Sequence, residues 1–267
     1  MANKRNAVII GGENIDKQYA ACEWAIKKGY VQAIAAAPFV DTEENKNILL
    51  NMSMPPNSFD MEKEWMVIKG DVHTDDFLRR VIPLAKKSNG DKKLFLSHCA
   101  YFVNPYLNRS FILTDGACVP NPTAEQREEI IKNAVWMHKK IYGDSSDCNV
   151  SFISAGGDSN PKTDPEVYDW WKSRQSDIPI RLEQLDVALN EEIRASKKIS
   201  GPVADVVVVK DINQGNAIWK SLTAVSESGW NVFGLLVGAV FPIILTSRGD
   251  KISSIKGSIK LGATLYQ

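Results

Sequence analysis

The residues best suited to chemistry lie where an apolar run gives way to a polar cluster. Residues 245–250 read LTSRGD and follow directly on the apolar run 242–246. There Arg248 offers a planar guanidinium fork suited to a phosphate dianion, Ser247 offers a hydroxyl, and the helix expected next offers its N-terminal amides. Asp250 is placed to act as base, as an orienting group or as the cap of that helix. A capping Asp250, with Arg248 in a surface ion pair, is the plainer alternative. In residues 201–220, GPVADVVVVKDINQGNAIWK, a strand-like run ends at Lys210 and Asp211, and a turn with Gly215 and Asn216 opens the next helix. Glycine lets a ligand approach the backbone and Asn216 can both donate and accept, although ordinary turn chemistry also explains the pair.

A third cluster, residues 150–162 (VSFISAGGDSNPK), runs from a strand ending in Ser154 into Gly156, Gly157 and small polar residues. Such a loop either cradles an anion with its amides or is simply broken by Pro161. It has neither the GxxxxGK[ST] nor the GxGxxG spacing, which counts against ATP and NAD. Asp186 in RLEQLDVAL has apolar neighbours and is either a ligand group or a satisfied cap. His73, His98 and His138 show no metal-ligand spacing, so no metal site is expected.

Short strand-like runs at 7–10, 32–37, 93–97, 111–114, 150–154, 206–209 and 242–246 alternate with helical patterns at 15–28, 41–52 and 74–87. That alternation predicts an α/β fold with parallel strands joined by helical crossovers. In open α/β sheets ligands bind outside the carboxyl ends of the strands, where the polar clusters stand. Thr74 is the expected N-cap of the 74–87 helix, and residues 53–63 and 143–147 are candidate linkers. The helix near Thr123, preceded by Pro122, is the expected bridge between a first domain (1–123 plus 240–267) and a second (124–239).

The chain has 267 residues, with 32 Lys and Arg balanced by 32 Asp and Glu, which points to neither nucleic acid nor an acidic membrane as partner. The most apolar run, 230–246, is interrupted by Asn231, two glycines and Pro242 and reads as two buried strands around a turn rather than a membrane span. Four scattered cysteines without a CxxC pair, and no visible export signal, lead to the expectation of a cytoplasmic protein with reduced thiols.

Seven collinear blocks carry a resemblance across nearly the whole chain. They are KGDVHTDDFLRRVI from Lys69, LSHCAYFVNPYLNRSFILTDGACVPNPT from Leu96, IIKNAV from Ile130, VSFISA from Val150, LEQLDVAL from Leu182, GPVADVVVVKDINQGNAIWK from Gly201 and PIILTSRGD from Pro242. In order and spacing they resemble the phosphate acetyl/butyryl transferase family, the butyryl branch more than the acetyl branch. The resemblance implies a two-domain, parallel-sheet α/β/α fold with a cleft, similar to isocitrate and isopropylmalate dehydrogenases, assembled as a homodimer. It implies transfer of a short-chain acyl group between phosphate and coenzyme A by direct thiol attack. Coenzyme A, acyl phosphate and inorganic phosphate are then ligands, with coenzyme A as substrate and no bound cofactor. It places Arg248 on the phosphate, Ser247 by the reacting carbonyl, Arg79 as a second cation, Gly215 and Asn216 near the thiol, and Asp186 and Ser154 among the substrate-binding residues.

The chain also departs from the family pattern. Gly156 and Gly157 stand where the butyryl branch carries Ala-Val-Glu and the acetyl branch Ser-Thr-Lys-Gly-Ser. Ser254 replaces an acetyl-branch aspartate, leaving Asp250 as the nearest base, and residues 35–39 read AAAPF in place of a glycine-containing turn. These changes frame the alternative, a catalytically reduced homologue that binds coenzyme A or acyl phosphate. A decarboxylating dehydrogenase on the same fold is disfavoured, since neither a nucleotide fingerprint nor an aspartate cluster for a divalent metal is present.

Overall fold

The computed structural model describes residues 5–12, 14–37, 65–90, 93–224 and 229–267. The helix expected at 41–52 and the linker at 53–63 lie outside the described residues. The chain divides into two compact units, Met1–Leu96 with Val232–Gln267, and Ser97–Asn231. The sequence reading sets the divide at the Thr123 helix and at 239/240. In the structure β4 (Ser97–Asn104) pairs antiparallel with β5 (Arg109–Thr114), and β5 runs parallel to β8 (Val206–Val208), which groups residues 97–123 with the second unit.

The first unit contains β1 (Arg5–Ile10), β2 (Val31–Ala37), β3 (Trp65–Lys69), β9 (Asn231–Val237) and β10 (Ile243–Ile244), in the order β2-β1-β3-β10-β9. All of these neighbours run parallel except β10 and β9. Strands of such a sheet are covered on both faces and so read as continuous apolar runs. Met66, Val67, Ile68, Ile243 and Ile244 are accordingly fully buried. Helix α1 (Asp16–Lys28) ends at Gly29, whose φ of 77° places it in the left-handed region and lets its amide reach the carbonyls of Ala25 and Ile26. Helix α2 (Thr74–Ser88) buries Phe77, Val81 and Ala85 at successive four-residue steps, with Asp75 and Asp76 in its first turn and Lys86 and Lys87 in its last. Its N-cap position is held by His73 rather than the expected Thr74. Helix α8 (Ile252–Leu265) packs against α1.

The second unit orders its strands β4-β5-β8-β6-β7, with β6 (Val150–Ile153) and β7 (Ile180–Glu183), and only the β4–β5 pairing is antiparallel. Helix α3 (Ala124–Tyr142) starts where the sequence places it. Thr123 accepts the Gln126 amide through Oγ1 at 3.3 Å, and the Gln126 side chain accepts the Thr123 amide at 2.9 Å, forming a capping box. The remaining helices are α4 (Pro165–Ser173), α5 (Leu185–Leu189), α6 (Glu191–Ser196) and α7 (Ile212–Ala224). Both units are therefore mixed α/β with mostly parallel strands. Among the described residues no helix is long and apolar enough to cross a membrane.

Candidate functional site

In the first unit β1, β3 and β10 are parallel neighbours, so the segments leaving their carboxyl ends gather at one edge. The segment after β1 contributes Gly11 and Gly12, that after β3 contributes Gly70 and Asp71, and that after β10 runs from Leu245 to Asp250. The first two touch backbone to backbone. A Cβ on Gly70 would overlap the Gly11 carbonyl oxygen, and one on Gly12, which sits at φ +88°, would come within 2.7 Å of the Asp71 carbonyl oxygen. No side chain fits between the loops, because backbone on both sides leaves nothing flexible to yield. Gly70→Ala is expected to lower stability by about 3 kcal/mol, the upper part of the usual overpacking range, in thermal melts. A variant melting with the parent would contradict the packing.

Lys69 closes β3 and is 2% exposed, in a position where lysine is seldom found. Its Nζ donates to the Gly70 carbonyl at 3.4 Å, a long bond. Burial, and then the Arg248 guanidinium, hold the Lys69 ammonium down at about 8, while Asp71 and Asp250 pull the other way. Lys69 and Arg248 therefore feel each other as like charges at one strand end. Nearby, Thr246 is 4% exposed and its Oγ1 lacks a hydrogen-bond partner among the described residues.

The LTSRGD segment is a tight turn. The Ser247 amide donates to Asp250 Oδ2 at 2.8 Å, and the Asp250 amide donates to the Ser247 carbonyl at 3.0 Å. Arg248 and Gly249 are exposed at its tip. Asp250 therefore caps the turn and not the following helix, whose N-cap position is Lys251. Arg248 enters no ion pair among the described residues, so its guanidinium fork is open to an anion arriving from solvent. Two cations, one buried and one exposed, together with a buried hydroxyl in the same turn, suit a phosphate group.

Arg79 lies on α2 of the same unit. Its side chain is 80% exposed on α2 and pairs with Asp76 at 3.8 Å. The other four residues singled out in the sequence lie in the second unit. Gly215 is not in a turn but inside α7, buried, where a Cβ would stand 2.7 Å from the Gly116 Cα and 3.0 Å from the Asp115 carbonyl oxygen. Close approach of two backbones, rather than a special φ, is what requires glycine there. Asn216, one residue on, is exposed. Ser154 is buried, and its amide donates to the Glu183 carbonyl at 3.0 Å. Asp186 is half exposed on α5; burial pushes its carboxyl up, but the Lys197 ammonium at 3.2 Å and the Val187 and Asp186 amides together hold it below the usual range.

Asp115 stands opposite Gly215 and is 2% exposed. It accepts the amides of His98, Ala117 and Cys118 at 3.0, 2.9 and 2.7 Å, which fixes the turn after β5. Burial pushes its carboxyl up to about 6 against the pull of those amides. His98 stacks on Trp219 with centroids 5.0 Å apart, and burial drives its pKa down to about 3, which makes it a neutral packing group. Among the described residues no three His, Cys, Asp or Glu side chains are grouped to hold a metal ion.

Sequence reasoning assigned no role to Lys69, although it opens the first of the collinear blocks. The available signal was a lysine ending the apolar run WMVIK, directly before a glycine.

Comparison with known proteins places this geometry in context. The family model described as phosphate acetyl/butaryl transferase matches residues 60–263. A phosphate butyryltransferase of Clostridium acetobutylicum is 30% identical, over 90% of this chain and 86% of its own length. A phosphate acetyltransferase of Rickettsia prowazekii is 30% identical over 75% of this chain, but over 58% of its own length. The crystal structure of a branched-chain phosphotransacylase from Enterococcus faecalis V583 superimposes with a TM-score of 0.73 at 25% identity, covering 97% of this chain and 98% of that one.

Proposed function

Because the chain belongs to the phosphate acetyl/butaryl transferase family, we propose that the protein moves a short-chain acyl group between phosphate and the thiol of coenzyme A. The observation that carries the site assignment is the pairing of buried Lys69 with exposed Arg248 at the ends of adjacent parallel strands. In this reading the phosphate of the acyl phosphate sits between the two cations, with the Thr246 hydroxyl as a further donor. Ser247, held by its amide bond to Asp250, directs its hydroxyl at the acyl carbonyl oxygen as negative charge develops there.

Phosphate is a good leaving group, so the thiolate attacks the carbonyl carbon directly in a ternary complex. The carbon–sulfur bond forms, the carbon–oxygen bond to phosphate breaks, and no acyl-enzyme is needed. Asp250 receives the thiol proton in this scheme. Lys69 acts in this reading beside Arg79, the second cation that the resemblance implies. Gly215, Asn216, Asp186 and Ser154 belong to the same proposal as contacts of the coenzyme A side. A homodimer, a cytoplasmic setting and an architecture like that of isocitrate and isopropylmalate dehydrogenases complete it.

Thiol release or consumption with acetyl, propionyl and butyryl phosphate tests the reading. Turnover is expected with at least one of them, in both directions. Coenzyme A or acyl phosphate binding without turnover would select the catalytically reduced homologue instead, a reading that the Gly156–Gly157 turn favours.

A further inference from the structure

A cavity of about 420 Å³ opens in the second unit beside β7, which is the last strand in that unit's order. None of the eight residues singled out in the sequence lines it. Its volume falls within the range of small-molecule sites.

The walls carry three cations, Arg181, Arg194 and Lys197, and two carboxylates, Asp158 and Glu183, with Asp186 paired to Lys197 from outside the lining. Buried Glu183 accepts Arg194 Nη1 at 2.8 Å and Ser151 Oγ at 2.7 Å, and Arg181 Nε lies 3.3 Å from the same carboxylate. Two guanidinium groups thus share one carboxylate. Arg194 is 2% exposed and uses its remaining donors on the carbonyls of Val187, Ser200 and Gly201, so it is a fixed structural cation.

Arg181 is different. Its Nη1 donates to the Pro202 carbonyl at 2.8 Å, and its Nη2 reaches Ser151 Oγ only at 3.4 Å, which leaves a second hydrogen on each nitrogen. Burial holds its pKa down, while Glu183 and Asp205 oppose that and Arg194 adds to it. The ammonium of Lys197, bonded to Gln184 at 3.0 Å and Asp186 at 3.2 Å, has a third proton to offer. In the turn after β6 the amides of Asp158 and Ser159 donate to nothing within the described chain.

The other lining is apolar. Trp171, whose indole N–H is tied to the Ile180 carbonyl at 3.0 Å, stands with Ile180 and Ile199 as a fixed wall. Donors lining one cavity from three chain segments match the several oxygens of a phosphate better than the two of a carboxylate, and the apolar wall calls for an organic portion.

We propose that this cavity is a second ligand site, for a nucleotide-sized organic phosphate. The phosphate meets Arg181, Lys197 and the 158–159 amides, and the flat or apolar part lies along Trp171 and Ile199.

Calorimetric titration of the full chain with AMP, inorganic phosphate and adenosine tests this directly, without depending on catalysis. AMP is expected to bind at least about tenfold more tightly than either fragment. Lys197→Glu alters a half-exposed side chain, and Ser159→Asp an exposed one that places a carboxylate beside the amides, so both variants should fold. Each should weaken AMP about tenfold to a hundredfold with the melting temperature little changed. AMP affinity no greater than that for inorganic phosphate, or unmoved by both substitutions, overturns the proposal.

Discussion

Arg248→Ala is expected to lower kcat/KM for acyl phosphate by about 10²–10³-fold, the usual loss when one preorganised donor to developing charge is removed. The reasoning is electrostatic. Arg248 stands exposed at the tip of the 247–250 turn, whose shape is set by the Ser247 amide on Asp250 Oδ2 at 2.8 Å. Removing its side chain leaves that Ser247–Asp250 bond in place, so the loss should fall on catalysis and not on folding. Arg248→Lys should recover only part of it, because an ammonium supplies charge without the planar fork. Steady-state kinetics alongside a melting curve check both halves. Parent-like kcat/KM in Arg248→Ala would remove Arg248 from the site.

Lys69→Met is expected to do two opposite things, raising stability and lowering activity. Burial and the Arg248 guanidinium lower the pKa of Lys69 from 10.5 to about 8, so at neutral pH the folded chain carries a buried charge at a cost on the order of 3 kcal/mol. The sign follows from proton counting. Between about pH 8 and 10.5 the unfolded chain holds a proton that the folded chain has released, so stability rises with pH across that window and is flat below it. Methionine, similar in length and uncharged, removes the cost, and the melting temperature at pH 7 should rise by several degrees and lose this pH dependence. Function runs the other way. A bound phosphate dianion favours the protonated amine, so KM for phosphate in the parent should climb as pH rises through about 8. In Lys69→Met it should be high and insensitive to pH in that window. A destabilised variant with unchanged KM would make Lys69 an ordinary structural residue.

Much of this was legible in the sequence because local order and local chemistry agree. The 242–246 run and the SRGD turn read correctly as a buried strand leading into a polar cluster, and Pro122 marks the start of the helix that follows Thr123. Strand β3 was not anticipated, since its five residues end in lysine and sequence alone places lysine at the surface. The strand lies between β1 and β10 in the sheet, with Lys69 paired to Ile10 of β1. Strand β7 was missed for a similar reason: IRLE carries a glutamate, satisfied by Arg194 and Ser151, and an arginine that donates to the Pro202 carbonyl. Gly215 was noticed for the wrong reason, because its closest neighbour, Gly116, is nearly a hundred residues away in sequence. Arg79 enters by its position within a block, and the structure shows it exposed on α2 beside Asp76.

In the proposed site Lys69 and Arg248 grip one and the same phosphate. A double-mutant cycle on kcat/KM for inorganic phosphate, in phosphorolysis of butyryl coenzyme A at pH 7, measures that sharing directly. If the claim holds, Lys69→Met and Arg248→Ala together lose clearly less than the product of their separate losses, with a coupling of about tenfold or more. Separate losses that simply multiply, with the double variant still binding phosphate, would contradict it.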